Sequence, residues 1–363
     1  MKIKNLHQCV VFIMTNNRLE YIDLLKVLSI LSIITVHAFK VWQNAEILNL
    51  NIFAFREIVT FGVPVFVMIS GALLLNREIE LVSFFKKKVK RIVYPFIFFY
   101  FLTAFVIVFI LNSTHNQVTN IFAFRWYFWM VLGIYLSLPV INKFIQYSSM
   151  KEIEYFILVF IFASIFYQIT YYFRLEQYLY LTLFLSPLGY LVLGYYLSRK
   201  EFNLSPNQII TISIILFILS TTVKICAHLE WIPEVDDFVA NTSPILSSWL
   251  DVGIFEIIQA SAIFLIGKYI YESSKGLYSS IKRLLQKRLI SQFILSVSRA
   301  SYGMYLINLI PTVMFYNLQE YDFTGTQIVL IIILLSIVTF FTSWFVIVLL
   351  SKIPYINKLS GYY

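Results

Sequence analysis

The stretch 18-RLEYIDLLKVLSILSIITVHAFKVWQ-43 decides the class of fold, because it is apolar and long enough to cross a membrane and still carries ionisable side chains. Lys26 and His37 are eleven residues apart, so at about 100° per residue they lie on one stripe of a helix, about 16 Å apart along its axis. Asp23 lies close to the same stripe. Charged groups within a membrane span usually face a bundle interior or a water-filled cavity. The stripe therefore predicts a site inside a helical bundle.

The composition excludes an ordinary soluble domain. Of the 363 residues, 60% are hydrophobic and only 13% are charged, whereas soluble domains carry about a quarter charged residues. Apolar runs recur along the whole chain, which predicts an all-α, polytopic integral membrane protein with about ten transmembrane helices. The predicted spans are approximately 20–42, 52–75, 92–111, 126–146, 152–171, 178–197, 208–227, 248–270, 292–317 and 326–351. They form a single transmembrane domain over residues 18–363, preceded by an N-terminal tail at 1–17 for which no order is predicted.

The basic residues concentrate in alternate loops, on one side of this arrangement. The densest group, FFKKKVKRIVYP at 84–95, lies in a loop on the same side as both termini, whereas the loop at 228–247 collects acidic residues. The positive-inside rule then places both termini in the cytoplasm. The net charge of +9 is consequently explained by the orientation of the chain in the membrane, and no nucleic-acid partner is predicted.

Several polar residues within the spans have two possible roles. Arg56 either reaches to the membrane interface or has a functional role, and Trp126 belongs to an interfacial aromatic belt or stacks on a sugar ring. Glu256 is either the partner of a buried cation or part of a cavity wall. Lys224, at the end of its helix, is expected to be exposed. In the second span, Gly62 and Pro64 are expected to kink the helix.

The ninth predicted span gathers polar side chains on one face. Tyr302 and Tyr305 are three residues apart, as are Tyr305 and Asn308, and their polar groups need hydrogen-bond partners inside a membrane. No metal site is predicted, because Cys9 and Cys226 lack metal or redox spacing and the four histidines are scattered. No P-loop, nucleophile elbow or inverted transporter repeat is visible.

These segments, taken in order, resemble the acyltransferase-3 family of integral-membrane O-acyltransferases. The resemblance rests on the basic residue and His of Lys26 and His37, with Tyr-Ile-Asp before them, and on four later segments. Those segments are GVPVFVMISGALLL (62–75), FFKKKVKRIVYP (84–95), WYFWMVLGIYLSLP (126–139) and SRASYGMYLIN (298–308). Each motif is weak alone, but the ordered set covers nearly the whole chain.

The resemblance implies transfer of an acyl group, usually acetyl, from cytoplasmic acyl-CoA to a hydroxyl of a cell-surface polysaccharide or lipid-linked glycan in the bacterial inner membrane. His37 is predicted to be the general base, or to carry the acyl group transiently, since imidazole is readily poised to accept a hydroxyl proton. Asp23 is predicted to act with it by holding Lys26. The predicted donor-binding residues are Lys26, Lys90 and Arg91. The predicted acceptor-binding residues are Arg56, Trp126, Glu256, Tyr302, Tyr305 and Asn308.

Two residues depart from the family pattern. Lys26 stands where Arg is frequent, which keeps the charge but loses the planar fork. Asn308 stands where the last motif often has His, so His37 is expected to carry any proton transfer alone. The alternative function, from a different class, is an exporter or flippase-like transporter of a polysaccharide or lipid-linked saccharide.

Overall fold

The computed structural model describes residues 2–39, 41, 50–106, 108, 126–172, 187–231, 253–315, 318 and 321–363, and side chains from Glu20 onward except at 170–172, 227–231 and 313. Within these ranges the chain is helical, with no strand. The helices are α1 (Lys2–Phe39), α2 (Leu50–Val59), α3 (Gly62–Leu74), α4 (Leu81–Lys88), α5 (Tyr94–Phe105), α6 (Trp126–Tyr147), α7 (Met150–Tyr172), α8 (Pro187–Arg199), α9 (Pro206–Trp231), α10 (Ile254–Glu272), α11 (Gly276–Leu285), α12 (Arg288–Ile307), α13 (Leu309–Met314) and α14 (Gly325–Leu350).

Seven helical segments in the described part of the chain are long and apolar enough to cross a membrane. They are Glu20–Phe39, Leu50–Leu74, Trp126–Tyr147, Met150–Ile169, Pro206–Cys226, Ile254–Glu272 and Gly325–Leu350. The other three predicted spans overlap α5, α8 and α12, and residues 178–186 of the second of these lie outside the described part of the chain. The first two are described over only 12 and 13 residues, and α12 carries Arg288, Arg299 and several serines. The all-helical membrane class is thus confirmed, while the count of ten stays a prediction.

The second span is interrupted where the sequence predicts a kink. Helix α2 ends at Val59 and α3 begins at Gly62. The carbonyl of Val59 accepts a hydrogen bond from the Ser32 hydroxyl of α1, so a backbone acceptor near the break is satisfied by a neighbouring helix. A Cβ at Gly62 would collide with Ser29 and Ser32, which shows how closely α1 and α3 approach at this point.

Helix α1 lies at the centre of the bundle, because it packs against α3, α10, α12 and α14. Leu25, Ile30 and Ile34 on α1 are fully buried. Its neighbour α12 runs in the same direction, since Asp23 contacts Ser298 near the middle of both helices and His37 contacts Asn308 near their ends. The polar stripe of α1 therefore faces the polar face of α12 along its length.

The segment after α14 folds back onto α12. The backbone N–H of Tyr363 donates to the carbonyl of Arg299 at 2.9 Å, and the Arg91 guanidinium lies over the Tyr363 ring, 4.4 Å from its centroid. Gly361, with φ of +71°, lies against Gly303 of α12, where a Cβ on Gly303 would collide with the Ser360 carbonyl. This return brings residues 361 and 363 to the wall of the cavity described next.

Candidate active site

A cavity of about 240 Å³ opens between α1, α3, α6 and α12. Four cationic side chains line it, and no Asp or Glu side chain does among the described lining residues. We call these four the cavity cations: Lys26, Lys88, Arg91 and Arg299. An excess of positive charge around a cavity attracts an anionic ligand, because the surrounding low-dielectric helices focus the electric field.

The basic loop contributes to the cavity through a local change of helix geometry. Between α4 and α5 the chain forms a turn of π-helix at Val89–Val93, a form often found at functional sites. Lys88 and Arg91, three residues apart, line the cavity, whereas Lys90, predicted to bind the donor, is exposed and lies outside the lining. Lys88 also lies over the Tyr135 ring, 4.8 Å from its centroid.

The electrostatic environment of Lys88 distinguishes it from an exposed lysine. Burial, together with the neighbouring positive charges of Arg91 and Arg77, lowers the pKa of Lys88 to about 8. All these effects disfavour the charged form. An anionic ligand in the cavity would oppose them, so binding of that ligand and protonation of Lys88 are coupled.

Asp23 interacts with side chains that line the cavity. Its carboxylate accepts a hydrogen bond from the Ser298 hydroxyl at 2.5 Å, and it attracts both Lys26 and Arg299 electrostatically. Asp23 is not among the lining residues. The predicted role of holding Lys26 therefore fits this geometry, and the same carboxylate also faces Arg299.

His37 and Asn308 form a buried pair. His37 Nδ1 lies 2.7 Å from Asn308 Oδ1, and their exposures are 8% and 0%. The Asn308 amide donates from Nδ2 to the carbonyl of Tyr305 at 2.7 Å, which fixes the amide orientation and leaves its oxygen toward the imidazole. Because an amide oxygen only accepts, His37 carries its proton on Nδ1, and Nε2 is the basic nitrogen of the neutral ring.

Tyr305 connects this pair with the cavity. Its ring lines the cavity and its centroid lies 6.2 Å from that of His37 and 4.6 Å from that of Tyr127. Tyr302, one turn earlier, also lines the cavity and donates its hydroxyl proton to the carbonyl of Ile92 at 2.7 Å. Trp126 meets Tyr127 edge to face at 6.1 Å and lies outside the lining.

The remaining predicted acceptor residues lie in a different group of charges. Lys224 makes ion pairs with Glu57 and with Glu256, the latter at 2.9 Å, and donates to Gln259 Oε1 at 3.2 Å. Arg56 lies 3.8 Å from Glu57. We call Glu57, Lys224, Glu256 and Gln259 the Lys224 cluster. The expectation that Lys224 is exposed was wrong, since its side chain is only 10% exposed, and Glu256 is the partner of a buried cation.

Sequence reasoning missed several residues that the structure brings to the cavity. Lys88 was passed over in favour of Lys90, although its three-residue spacing from Arg91 places both on one helix face and was a usable signal. Arg299 follows Ser298 in the quoted motif but was given no role. Tyr127 and Tyr363 carried no signal for a cavity, because their positions depend on contacts with α12 and with Arg91.

Comparison with known proteins agrees with this geometry. Residues 19–348 match the family model described as an acyltransferase domain, that of the acyltransferase-3 family. No curated protein and no solved structure matches the chain. Because the match covers most of the chain, the protein belongs to the acyltransferase-3 family and is a membrane acyltransferase.

Proposed function

We propose that this protein transfers an acyl group, most simply acetyl, from acyl-CoA to a hydroxyl of a cell-surface polysaccharide or lipid-linked glycan at the bacterial inner membrane. The observation that supports this best is the His37–Asn308 pair, which lies beside a cavity lined by cations. The imidazole suits proton removal from a hydroxyl, and the cations suit the phosphates of a nucleotide-bearing donor.

The donor would occupy the cavity from its cationic end. Lys26, Lys88 and Arg91 would hold the phosphates of CoA by charge-assisted hydrogen bonds. Lys90, exposed beside Arg91, would attract the anionic donor without touching it. With the termini in the cytoplasm, this end faces the compartment where acyl-CoA is made, and the thioester would extend along α1 towards His37.

At the reacting end, His37 Nε2 would accept the proton of the acceptor hydroxyl as the oxygen attacks the thioester carbonyl. The C–S bond then breaks, which leaves the acyl group on the acceptor oxygen as an ester and releases the CoA thiolate. The proton stays on the His37 imidazolium until the thiolate takes it. Asn308 stabilises the imidazolium through the Nδ1–H bond and fixes the tautomer. The alternative with a transient acyl-imidazole uses the same nitrogen as nucleophile.

The acceptor would approach from the end of the bundle where Arg56 lies, because the cavity cations occupy the other end. The Arg56 side chain is 39% exposed, so a sugar or an anionic saccharide would contact its exposed part, with the Lys224 cluster, including Glu256, behind it. Trp126 would offer an aromatic face to the sugar ring. Tyr302 and Tyr305 would contact the acyl end of the donor rather than the acceptor.

The test uses membranes containing equal amounts of wild-type protein and of His37→Ala, supplied with labelled acetyl-CoA. We expect the wild type to label a glycan or glycolipid fraction, and His37→Ala to lower the rate by about 10²- to 10⁴-fold, the usual contribution of a positioned acid–base group. Asn308→Ala should lower the rate less and shift its pH profile. Unchanged labelling by His37→Ala at equal protein level would overturn the catalytic assignment.

The exporter alternative predicts a different outcome in the same membranes. A transporter would move saccharide across the membrane without placing label from acetyl-CoA on any glycan. Labelled glycan that depends on His37 supports the acyltransferase, and saccharide movement without label supports the exporter.

A further inference from the structure

The donor cavity ends at a pair of tyrosines. Tyr127 of α6 and Tyr305 of α12 both line it, whereas His37 and Asn308 are not among its lining residues. Tyr305 contacts residues of both groups. Its ring centroid lies 4.6 Å from that of Tyr127, which lines the cavity, and 6.2 Å from that of His37, which does not. Its backbone carbonyl also accepts the Asn308 amide. Tyr305 therefore lies next to both the cavity and the imidazole, and Tyr127 packs against it.

The cavity has a cationic end and an aromatic end. On α6, Tyr135 lies under Lys88 at 4.8 Å, and Tyr127 lies eight residues away at Tyr305, a rise of about 12 Å. On α12, Ser298 marks the Asp23 end and Tyr305 lies seven residues on, a rise of about 10 Å. Both walls thus give a similar length between the charged groups and the tyrosine pair.

The surroundings of the tyrosine pair are apolar. Ile33, Phe66 and Val131 line the cavity with it, and Tyr305 is 7% exposed. A thioester whose phosphates are held at the cationic end must place its acyl group against these rings to reach His37. Each additional methylene of the acyl chain then presses against the tyrosine rings. Because the rings are closely packed, moving them to make room costs free energy.

We propose that Tyr127 and Tyr305 together set the length of the acyl chain and restrict this enzyme to short acyl groups. The inference rests on the proposed function, because it needs acyl-CoA in the cavity and His37 as the acceptor of the hydroxyl proton. Tyr127 and Tyr305 are specificity-determining residues here, and they take no part in bond making.

The experiment compares acetyl-, propionyl-, butyryl- and hexanoyl-CoA as donors for the wild type and for Tyr127→Ala, Tyr127→Leu and Tyr305→Leu in membranes. The measured quantity is the ratio of butyryl to acetyl transfer. We expect the wild type to prefer acetyl and the smaller side chains to raise the ratio at least about tenfold, the typical effect of one methylene in an apolar pocket. Tyr127→Trp should move the ratio in the opposite direction.

Tyr135→Ala is the matched control, because Tyr135 is the same residue type on the same helix and lies at the cationic end. We expect it to raise the KM for every donor and to leave the chain-length ratio unchanged. An equal change of ratio in Tyr135→Ala, or no change in any Tyr127 or Tyr305 variant that still transfers acetyl, overturns the inference. Failure of the wild type to transfer any acyl group overturns the proposed function itself, and the inference with it.

Discussion

Two groups of charged side chains lie within this bundle, and they are built on opposite plans. In the Lys224 cluster the cation has two carboxylates, at Glu57 and Glu256, and an amide oxygen as partners. The cavity cations face a shared space whose described lining contains no Asp or Glu side chain. Charges that balance one another within the protein hold helices together, whereas charges of one sign around a space are arranged for a ligand. The comparison predicts that mutations in the two groups will fail in different ways.

Removal of Lys224 is expected to have the largest effect, and on stability. Lys224→Met leaves the Glu57 and Glu256 carboxylates without their cation, and loss of one partner from a buried ion pair costs about 3–5 kcal/mol. We expect a sharply lowered thermal midpoint of the detergent-solubilised protein. The triple variant with Glu57→Gln and Glu256→Gln removes all three charges and should recover most of that loss. A stable Lys224→Met with a raised donor KM would contradict the distinction between the two groups.

The substitution Arg91→Ala tests the cavity cations. It should raise the KM for acyl-CoA by roughly 10- to 100-fold, since a charge-assisted hydrogen bond contributes about 1.5–3 kcal/mol, while the thermal midpoint changes little. The control is Lys87→Ala, because Lys87 is exposed in the same basic run and lies outside the cavity lining. Equal KM values for the two variants would remove Arg91 from donor binding.

The pH dependence of donor binding gives the smallest and most specific effect. Because the pKa of Lys88 is lowered to about 8, the lysine is charged below that pH and becomes neutral above it, so the donor KM should rise as the pH increases through about 8. Lys88→Arg keeps its charge over this range and should abolish that rise. The KM for acyl-CoA measured from pH 6.5 to 9.5 checks this, and identical profiles for the two proteins would exclude Lys88.

The comparison also explains what the sequence could predict. Local spacing was sufficient for the stripe of Asp23, Lys26 and His37 and for the facing residues Tyr302 and Tyr305, because one helix fixes which side chains share a face. It was sufficient as well for the break near Gly62. Partners between distant helices have no such periodicity. For this reason the sequence did not predict that Asn308 pairs with His37, as the structure shows, and its predicted contact with the acceptor stays a prediction.

The same limitation applied to the charged groups. Lys224 terminates an apolar run, and from the sequence alone an end position favours exposure. Its burial depends on two carboxylates from α2 and α10, which no local pattern relates to α9. Lys88 is different, because its three-residue spacing from Arg91 was a usable signal: the structure places both in the cavity lining and leaves Lys90 outside it.

The parallel pairing of α1 with α12 has a consequence for biogenesis. His37 and Asn308 are separated by 271 residues, and Asp23 and Ser298 by 275. At about 5–20 residues per second, a ribosome needs roughly fifteen seconds to a minute to produce the later helix after the first has emerged. Throughout that interval the nascent membrane segment holds a carboxylate and an imidazole without their final partners. We therefore expect the cell to need membrane-insertion machinery that keeps such a polar span away from lipid until α12 is made.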